Sequence, residues 1–399
     1  MREALILAGG LGSRLRPANE QDLPKALVHV GGSPFIDTLL WNLSRHGIEK
    51  FIFSLGHRAE QLTTHLDSLP KNLGAFEYRI EPEPLGTGGA IAFAGEKIAG
   101  ESFLLVNGDT LFDFNYLDLA SLRDSHDAAV AIALKRVADA GRYGSVTVDG
   151  DAVVSFDEKL AGKEGLIAGG VSAIATRVLS TLPSGPFSFE RDTLPLLVSQ
   201  SDVVGRPYDG FFIDIGTPES LDKGFSELPQ WRSKPAVFLD RDGVLNVDHG
   251  HVHTAAQFEW MPGAPEAVKW LNDRGFLVFV VTNQAGIAKG YYTEQQYLEF
   301  EKWISRQLAK FGAHIDQTYY CPHHPDGVGQ YAFACDCRKP EPQMLLNAMA
   351  EWKLDPRRTV LLGDKQTDIQ AARRAGIKSI LCGSGVKLSD AVQQAVQLA

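Results

Sequence analysis

The sequence predicts two α/β domains in tandem, and three observations lead to this fold class. Short apolar runs such as VFLD, LVFVVTN and TVLLGD alternate with amphipathic helical patterns, which is typical of parallel strands covered by helices on both faces. The chain has 399 residues, too many for one ordinary core. A new strand–helix cycle begins at Pro235-Ala236, after the polar, proline-flanked stretch SELPQWRSKP. We therefore predict a first domain over 1–228, a linker over 229–235 and a second domain over 236–399.

Composition is that of a globular protein and argues against several classes of partner. The chain is 44% hydrophobic and 22% charged, and its formal net charge of -10 disfavours a nucleic-acid partner, which needs a basic face. The sequence contains no apolar run near the roughly 18 residues of a membrane span, and its first apolar run is too brief for a signal peptide. We therefore expect a cytoplasmic enzyme without a nucleic-acid or membrane partner.

The first strand leads into a glycine-rich segment, LILAGGLGSRLRP at 5–17. Glycines let a backbone approach phosphates closely, and the N–H groups of such a turn bind anions. Arg14 adds a fixed cationic fork and Lys25, in LPKAL, adds a second cation. This pattern predicts a triphosphate site that includes Gly9, Gly10, Gly12, Arg14 and Lys25, within a nucleotide-binding segment that also contains Leu7, Ala8 and Ser13.

Three later segments add to the same predicted site. The glycine-threonine loop EPEPLGTGGA (81–90) opens a helix, and its backbone groups can hydrogen-bond a purine edge. LLVNGDT places Asp109 at a strand end and FFIDIGTPESL places Asp214 at another, where ligands gather in open α/β sheets. Two carboxylates from distant strands can hold Mg²⁺, which prefers oxygen ligands and bridges to phosphates. For either aspartate alone, a capping or turn role is the alternative.

Taken in order, these segments resemble the sugar-1-phosphate nucleotidyltransferases over about residues 1–225. The resemblance implies a Rossmann-like, GT-A-like domain with a mixed sheet, in which a sugar 1-phosphate oxygen attacks the α-phosphorus of an NTP and releases pyrophosphate. It implies catalytic roles for Arg14 and Lys25, and Mg²⁺ ligation by Asp109 and Asp214. The implied nucleotide contacts beyond the triphosphate loop are Leu85, Gly86, Thr87, Gly88 and Asp109.

The loop EPLGTGGAI is most similar to that of guanylyltransferases acting on heptose 1-phosphate and mannose 1-phosphate, which implies GTP as the nucleotide, with ATP as the alternative. One segment departs from the usual family pattern for the sugar site, since IAGGVSA carries Ala168 and Ser172. The sugar contacts that the resemblance implies are Glu158, Lys159, Gly170 and Glu190. For Glu190 a surface salt bridge is the alternative.

The second domain opens with VFLDRDGVLN at 237–246, where Asp240 ends an apolar strand and Asp242 follows two residues later. A buried carboxylate beside Mg²⁺ can attack a phosphomonoester, and a second carboxylate can protonate the leaving alkoxide. Later segments supply side chains to hold the phosphoryl group, to neutralise charge and to bind the metal, namely Thr282, Asn283, Lys339 and Asp364.

These four motifs in this order resemble the haloacid-dehalogenase (HAD) phosphatases over about residues 236–390. The resemblance implies a HAD-like Rossmannoid domain, with Mg²⁺ held by Asp240, Asp242 and Asp364. It implies catalysis by Asp240, Asp242, Thr282 and Lys339, and substrate contacts that include Asn283 and Gln284.

Three of the four cysteines crowd between 321 and 337, which favours a metal site over a disulfide scaffold. CPHH and CDC place Cys321, His323, Cys335 and Cys337 as a Cys-x-His and a Cys-x-Cys pair. This set closes a tetrahedral site without an open position for chemistry, which predicts structural Zn²⁺ in a loop that presents Arg338 and Lys339 to the substrate. Unliganded thiols, or His324 in place of His323, are the alternatives.

HAD phosphatases with such a zinc loop include heptose 1,7-bisphosphate 7-phosphatases and histidinol phosphatases. The segments NVDHGHVH and TNQAGIAKGYYT resemble the heptose branch more closely. This resemblance implies that the sugar contacts Asp248, His249, Gly250 and His251, and that Arg338 binds the distal 1-phosphate.

Together the two resemblances imply one bifunctional enzyme of nucleotide-activated heptose synthesis, in which dephosphorylation of heptose 1,7-bisphosphate yields the heptose 1-phosphate that the transferase consumes. One alternative is a mannose-1-phosphate-type guanylyltransferase joined to another sugar phosphatase or to a histidinol-phosphatase-like domain. Another is that one domain is a non-catalytic regulatory module. The sequence leaves the anomer and the oligomeric state open.

Overall fold

The computed structural model of the protein describes residues 1–10, 23–142, 144–157, 163–382 and 387–399. The chain divides into two compact units, Met1–Trp231 and Arg232–Ala399. No helix in these described ranges is long and apolar enough to cross a membrane.

The first unit is built from a long mixed sheet, a pair of short two-stranded ribbons and the helices that cover them. Its helices are α1 (Phe35–Arg45), α2 (Ala59–Asp67), α3 (Gly86–Gly95), α4 (Tyr116–Ser125), α5 (Leu194–Ser199) and α6 (Pro218–Arg232). Its strands are β1 (Glu3–Ala8), β2 (His29–Val30), β3 (Ser33–Pro34), β4 (Lys50–Leu55), β5 (Ala75–Ile80), β6 (Ser102–Asn107), β7 (Thr110–Phe112), β8 (Val130–Val137), β9 (Ser145–Asp149), β10 (Ala152–Asp157), β11 (Gly165–Ala175), β12 (Val203–Pro207) and β13 (Phe212–Asp214).

The main sheet of the first unit has the strand order β5-β4-β1-β6-β11-β8-β12-β10-β9. The strands β5, β4, β1 and β6 are parallel, whereas β11 is antiparallel to both of its neighbours. Side chains alternate between two buried faces, so that Ala4 and Ile6 pack in one core while Leu5 packs in the other. The mixed sheet covered on both faces confirms the predicted fold class.

The route of the chain through this sheet creates a crevice. From β1 the chain proceeds outward to β4 and β5, and then crosses to β6 on the other side of β1. Open α/β sheets bind ligands where the strand order reverses in this way, at the carboxyl ends of the two strands. The residues that follow β1 and β6, namely Gly9, Gly10, Gly108 and Asp109, therefore face each other across the same crevice.

The second unit contains a smaller, fully parallel sheet. Its strands are β14 (Ala236–Leu239), β15 (Leu277–Asn283), β16 (Gln317–Cys321), β17 (Thr359–Gly363) and β18 (Lys378–Leu381). Its helices are α7 (Ala264–Asn272), α8 (Ala285–Ala288), α9 (Glu294–Ala309), α10 (Gln343–Trp352), α11 (Gln366–Ala375) and α12 (Leu388–Leu398).

The sheet of the second unit has the order β16-β15-β14-β17-β18, with every pair parallel. Its central strand β14 is buried on both faces, since Val237 and Leu239 pack in the main core and Phe238 stacks on Phe279 on the other side. The strand order reverses between β14 and β17, so that Asp240 and Asp364 follow the ends of two adjacent strands.

Helix α6 runs into the segment 229–235 that the sequence analysis assigned to a linker. Its penultimate residue Trp231 is buried in the first unit, where its ring lies 5.7 Å from that of Trp41 and 5.8 Å from that of Phe211. The indole Nε1 donates a 2.8 Å hydrogen bond to Asp113 Oδ2. Residues 229–231 therefore pack as part of the first unit.

We predict that the first unit, expressed alone, is more stable when it ends at residue 232 than when it ends at residue 228. The shorter fragment lacks Trp231 and leaves its apolar contacts and Asp113 uncovered, which should lower the free energy of unfolding by about 3 kcal/mol. Urea unfolding of both fragments measures this difference. Equal stability of the two fragments would show that Trp231 contributes nothing to the fold.

Candidate active sites

A pocket of about 340 Å³ opens at the carboxyl ends of β1 and β6. Backbone atoms and small side chains dominate its wall, because glycines occupy the turns that follow both strands. A side chain at Gly9 would place its Cβ atom 2.7 Å from Glu81 Oε1 and would displace this carboxylate. The predicted nucleotide-binding residues that line the pocket are Leu7, Ala8, Gly9, Gly10, Lys25, Gly86, Thr87 and Asp109.

Lys25 and the two predicted metal ligands come from three distant segments. Lys25 Nζ lies 3.0 Å from Asp109 Oδ2. The backbone N–H of Ile215 donates to the Asp109 carbonyl, and Asp214 is paired with Thr110 in the β7–β13 ribbon. Asp109 and Asp214 are therefore brought into neighbouring positions, although Asp214 does not line the pocket itself and its Oδ1 accepts from Gly216 N at 2.7 Å.

The predicted base loop forms the first turn of α3, where only part of it faces the pocket. Gly86 has φ of +67° and lines the pocket together with Thr87. Leu85 and Gly88 lie outside the pocket wall; a Cβ atom on Gly88 would meet the ring of Phe187 at 2.1 Å. The turn is held by backbone hydrogen bonds, since Gly88 N–H donates to the carbonyl of Phe187 and Phe187 N–H donates to the carbonyl of Leu85.

A second pocket, of about 760 Å³, lies beside the first, and Asn107 lines both. The predicted sugar contacts Gly170 and Glu190 line it, as do Ala168 and Ser172. Glu190 Oε2 also accepts a 2.5 Å hydrogen bond from the hydroxyl of Thr87, a residue of the first pocket. This contact joins the wall of the larger pocket to the nucleotide loop.

Several predicted residues lie outside the described part of the chain. They are Gly12, Ser13 and Arg14 of the glycine-rich segment, and Glu158 and Lys159 of the predicted sugar site. Their roles stay predictions.

Glu81 lines the first pocket and was absent from the predicted site. Its carboxylate is held by the hydroxyl of Ser54 at 2.9 Å and by the backbone N–H of Leu85 at 3.1 Å. A carboxylate can accept about four hydrogen bonds, so acceptor capacity remains for a ligand. The acidic residue stands at the start of the EPEPLGTGGA loop, which was the available signal in the sequence.

In the second unit, Asp240, Asp364 and Asp368 each present a carboxylate oxygen within 4.8 Å of the others. Asp368 takes the third place that the sequence analysis gave to Asp242. Asp364 Oδ1 is buried and lacks a hydrogen-bond partner among the described residues, as expected for an atom that receives a cation. Oxygen ligands of this kind suit Mg²⁺.

Lys339 lies between two of these carboxylates. Its Nζ is 2.9 Å from Asp240 Oδ1 and 2.7 Å from Asp368 Oδ1, and it donates to the carbonyl of Val281 at 2.8 Å. Burial raises the pKa of the Asp240 carboxyl to about 6, although the nearby ammonium of Lys339 counteracts the rise. The lysine therefore favours the ionised, nucleophilic form of Asp240 in a water-poor site.

Asp242 is turned toward the protein. Its Oδ1 accepts from Arg241 Nε at 3.3 Å and from Asn246 Nδ2 at 3.0 Å. Its Oδ2 accepts from the Arg241 guanidinium at 3.0 Å and from Gln284 Nε2 at 3.2 Å. In this position the carboxylate forms part of a buried polar network rather than the cation cluster.

The end of β15 carries the other predicted phosphate-binding residues. Thr282 is buried, and its Oγ1 accepts from Gln284 Nε2 at 2.8 Å. Asn283 exchanges hydrogen bonds with the backbone of Lys339 in both directions, at 3.0 Å each. Gln284 is only 2% exposed, and its amide contacts Asp242, Thr282 and the hydroxyl of Tyr292. Gln284, predicted as a substrate contact, thus supports the side chains around it instead.

The four predicted zinc ligands converge. The three sulfurs lie 3.1–3.4 Å apart, and His323 Nδ1 is 3.3 Å from the Cys337 Sγ atom. The ligand atoms of Cys321, His323, Cys335 and Cys337 all fall within 4.8 Å of one another, a set that fits a tetrahedral metal site. Burial raises the pKa of the Cys321 thiol and raises that of the Cys337 thiol to about 11, so a cation is needed to hold these two sulfurs as thiolates.

The remaining predicted substrate residues lie on loops of the second unit. Arg338 follows the last cysteine, and its guanidinium donates to the carbonyl of His323 at 3.3 Å.

Asp248 forms a 3.0 Å ion pair with Lys365, and His249 lies 3.2 Å from Glu259. His251 has φ of +53°, and its ring lies 4.8 Å from that of Tyr291. Gly250 allows the turn between them, and its N–H donates to Asp248 Oδ1 at 3.0 Å.

These geometries define two different phosphate chemistries. The first unit offers a backbone-lined pocket with a lysine–aspartate pair, which suits a nucleotide triphosphate. The second offers a buried aspartate beside a cation cluster and a lysine, which suits nucleophilic attack on a phosphomonoester. The class of protein is therefore a two-unit enzyme with one phosphoryl-group site in each unit.

Comparison with known proteins assigns each unit. Residues 3–230 match the nucleotidyl transferase family model, and residues 336–398 match the HAD-hydrolase-like family model. The D-glycero-beta-D-manno-heptose-1,7-bisphosphate 7-phosphatase of Pasteurella multocida is 46% identical over 158 residues, which are 39% of this chain and 86% of the relative. Among solved structures, HddC from Yersinia pseudotuberculosis is 34% identical with a TM-score of 0.51 and covers 57% of this chain and 100% of its own. HddC complexed with GMP-PN is 33% identical with a TM-score of 0.50 and the same coverage.

The chain therefore belongs to the nucleotidyl transferase family through its first unit and to the family of the HAD-type heptose-bisphosphate phosphatases through its second. Both family resemblances inferred from the motifs are confirmed, as is the prediction that the protein is an enzyme with transferase and phosphatase units.

We predict that Gly243→Ala abolishes most phosphatase activity while the transferase unit stays active. Gly243 has φ of +92°, and a Cβ atom there would lie 2.3 Å from Asp364 Oδ2. The displaced Asp364 should lower the rate of phosphate release on the order of 100-fold. Phosphate release from p-nitrophenyl phosphate measures the effect.

Gly263→Ala is the matched control for this variant. Gly263 has φ of +76° in the same unit, and nothing lies within 4 Å of its added Cβ atom. It therefore reproduces the backbone strain without the collision. If the two variants lost activity equally, strain alone would account for the loss and the crowding of Asp364 would be irrelevant.

Proposed function

We propose that the protein carries out two successive steps of nucleotide-activated heptose synthesis. The second unit removes the 7-phosphate of D-glycero-D-manno-heptose 1,7-bisphosphate, and the first unit transfers GMP from GTP to the resulting heptose 1-phosphate. The products are GDP-heptose and pyrophosphate. The observation that carries the proposal is the union in one chain of a HddC-like unit and a unit 46% identical to a heptose-bisphosphate phosphatase. Because both substrates are phosphorylated metabolites, we expect the reactions in the cytoplasm.

In the phosphatase step the nucleophile belongs to the protein. The Asp240 carboxylate attacks the phosphorus, the bond to the sugar oxygen breaks, and Asp242 gives that oxygen a proton. Water then attacks the aspartyl phosphate and gives its proton to Asp242, which releases phosphate and restores Asp240. Mg²⁺ held by Asp240, Asp364 and Asp368 would neutralise charge on the phosphoryl oxygens. Zn²⁺ on Cys321, His323, Cys335 and Cys337 would fix the loop that presents Arg338 and Lys339 to the bisphosphate.

In the transfer step the nucleophile belongs to the substrate. An oxygen of heptose 1-phosphate attacks the α-phosphorus of the NTP, and the bond to the β-phosphate breaks as pyrophosphate leaves. The glycine turn at Gly9 and Gly10 and the cation of Lys25 align and neutralise the triphosphate. Mg²⁺ held by Asp109 and Asp214 would supply further charge at the reacting phosphates. The larger pocket beside Asn107, about 760 Å³, is assigned to the sugar.

We predict that aspartate variants separate the two activities. Purified protein with heptose 1,7-bisphosphate, GTP and Mg²⁺ should form GDP-heptose, phosphate and pyrophosphate, measured by mass spectrometry. Asp240→Asn should stop phosphate release but still convert added heptose 1-phosphate, because the sites are chemically independent. Asp109→Asn should release phosphate yet form no GDP-heptose. Loss of both activities in either variant would contradict independent sites, and failure of the wild type on heptose substrates would refute the assignment.

Glu81 supports GTP rather than ATP as the nucleotide. Its carboxylate, fixed by Ser54 and Leu85, can only accept hydrogen bonds. Guanine presents two adjacent donors on its pairing edge, N1–H and the 2-amino group, whereas adenine presents an acceptor at N1. A fixed carboxylate therefore attracts guanine and repels adenine.

We predict that Glu81→Gln lowers kcat/KM for GTP on the order of 10- to 100-fold. The ratio of kcat/KM for GTP to kcat/KM for ATP should fall as well. The matched control is Glu83→Gln, an exposed acidic residue of the same loop. Steady-state rates with both nucleotides measure the effect. An unchanged GTP/ATP ratio in Glu81→Gln would remove Glu81 from base recognition and leave the transferase assignment intact.

A further inference from the structure

Arg241 separates the two catalytic aspartates in sequence, yet its side chain points into the core of the second unit. It is 1% exposed, and its guanidinium lies over the rings of Tyr297 and Phe300. A buried guanidinium is stable only when anions and carbonyls satisfy it. The identity of those partners therefore determines what else in the site can move.

Two carboxylates share this guanidinium. Arg241 Nη2 lies 3.0 Å from Asp242 Oδ2, and Nη1 lies 3.1 Å from Glu301 Oε1 on helix α9. The Nη2 group also donates to the carbonyl of Val252 at 2.7 Å, so the loop that carries His251 contacts the same cation. Glu301 is 60 residues from Arg241 in sequence and belongs to neither the carboxylate cluster nor the Cys/His cluster found among the described residues.

The hydrogen bonds that Asp242 makes in the structure compete with its proposed chemistry. As proton donor it must reach the leaving oxygen of a phosphate bound at Asp240, yet its carboxylate is engaged by Arg241, Asn246 and Gln284. It must turn away from Arg241 in each turnover. When Asp242 is protonated and turned to the leaving oxygen, it no longer supplies an anion to the buried guanidinium, which is strongly unfavourable unless the second anion stays in place.

We propose that Glu301 is a positioning residue for the phosphatase step, whose carboxylate keeps the Arg241 guanidinium neutralised and in place while Asp242 turns to the leaving oxygen. The proposal rests on the proposed function only in that Asp242 donates the proton. No bond to Glu301 forms or breaks: the proton passes from Asp242 to the alkoxide, and the water that cleaves the aspartyl phosphate returns one to Asp242.

The surroundings of Glu301 suit this role. Its side chain is 16% exposed, and Arg241 approaches one of its oxygens. Burial raises the pKa of the Glu301 carboxyl, whereas the Arg241 guanidinium favours the carboxylate form. Tyr297 and Glu301 lie one turn apart on α9, so the same helix places both the ring and the carboxylate against the Arg241 guanidinium.

The test compares two substrates that differ in their need for a proton. An alkyl phosphate leaves as a basic alkoxide and depends on the donor, whereas p-nitrophenyl phosphate leaves as a stable anion. Glu301→Gln should lower kcat/KM for heptose 1,7-bisphosphate by at least about tenfold, with the p-nitrophenyl phosphate value changed less than about twofold. Glu301→Asp retains the charge and should recover most of the alkyl phosphate activity.

Glu299→Gln is the matched control, an exposed glutamate on the same helix that hydrogen-bonds Gln295, and it should leave both values unchanged. Equal losses on both substrates in Glu301→Gln would mean a merely structural role and would overturn the proposal, as would no loss on either. The comparison can use any alkyl phosphate that the wild type hydrolyses. If the wild type is inactive on heptose bisphosphate, the substrate assignment is refuted, and the same comparison with another alkyl phosphate decides the role of Glu301.

Discussion

The contact on which the phosphatase site depends is that of the Lys339 ammonium with the buried carboxylates of Asp240 and Asp368. Carboxylates crowded at a strand end repel one another and lose hydration, so the fold must supply cations beside them. The first unit solves the same problem with Lys25 and Asp109, at 3.0 Å and with more solvent. In each unit a lysine from a distant segment of the chain contacts an aspartate that follows a strand.

Both sites occupy the same topological position in otherwise different sheets. In the first unit the strand order reverses between β1 and β6, and in the second it reverses between β14 and β17. The diverging connections leave a crevice at the carboxyl ends of these strand pairs, so that residues far apart in sequence meet without unusual backbone geometry. Asp240 and Asp364 meet in this way, as do Gly9 and Asp109.

Most of the fold could be predicted from the sequence, as could the parts of each site that are built from local motifs. Apolar runs of strand length predicted the sheets, and the spacing of Cys321, His323, Cys335 and Cys337 predicted a cluster that the structure brings together.

Contacts between distant segments were harder to predict from the sequence. The motif alone suggested that the Asp242 carboxylate binds the metal. Its orientation in the structure depends on Arg241, which also contacts Glu301, 60 residues further along the chain. Asp368 follows Asp364 by four residues in the segment LLGDKQTD, but its approach to Lys339 depends on where α11 begins. Trp231 stood in a polar stretch that composition marked as a linker, and its burial follows from Trp41 and Asp113.

The proposed chemistries explain why the two sites are built from different types of residue. A phosphatase whose nucleophile is its own carboxylate must bury and desolvate that group, and each buried charge then requires a partner, which produces the network of Lys339, Arg241 and Glu301. A transferase whose nucleophile arrives with the substrate needs little more than alignment and a positive environment. Backbone N–H groups, glycine turns and one lysine provide these, and the pocket can stay open to admit two substrates. Charged side chains therefore mark the second unit and glycines mark the first.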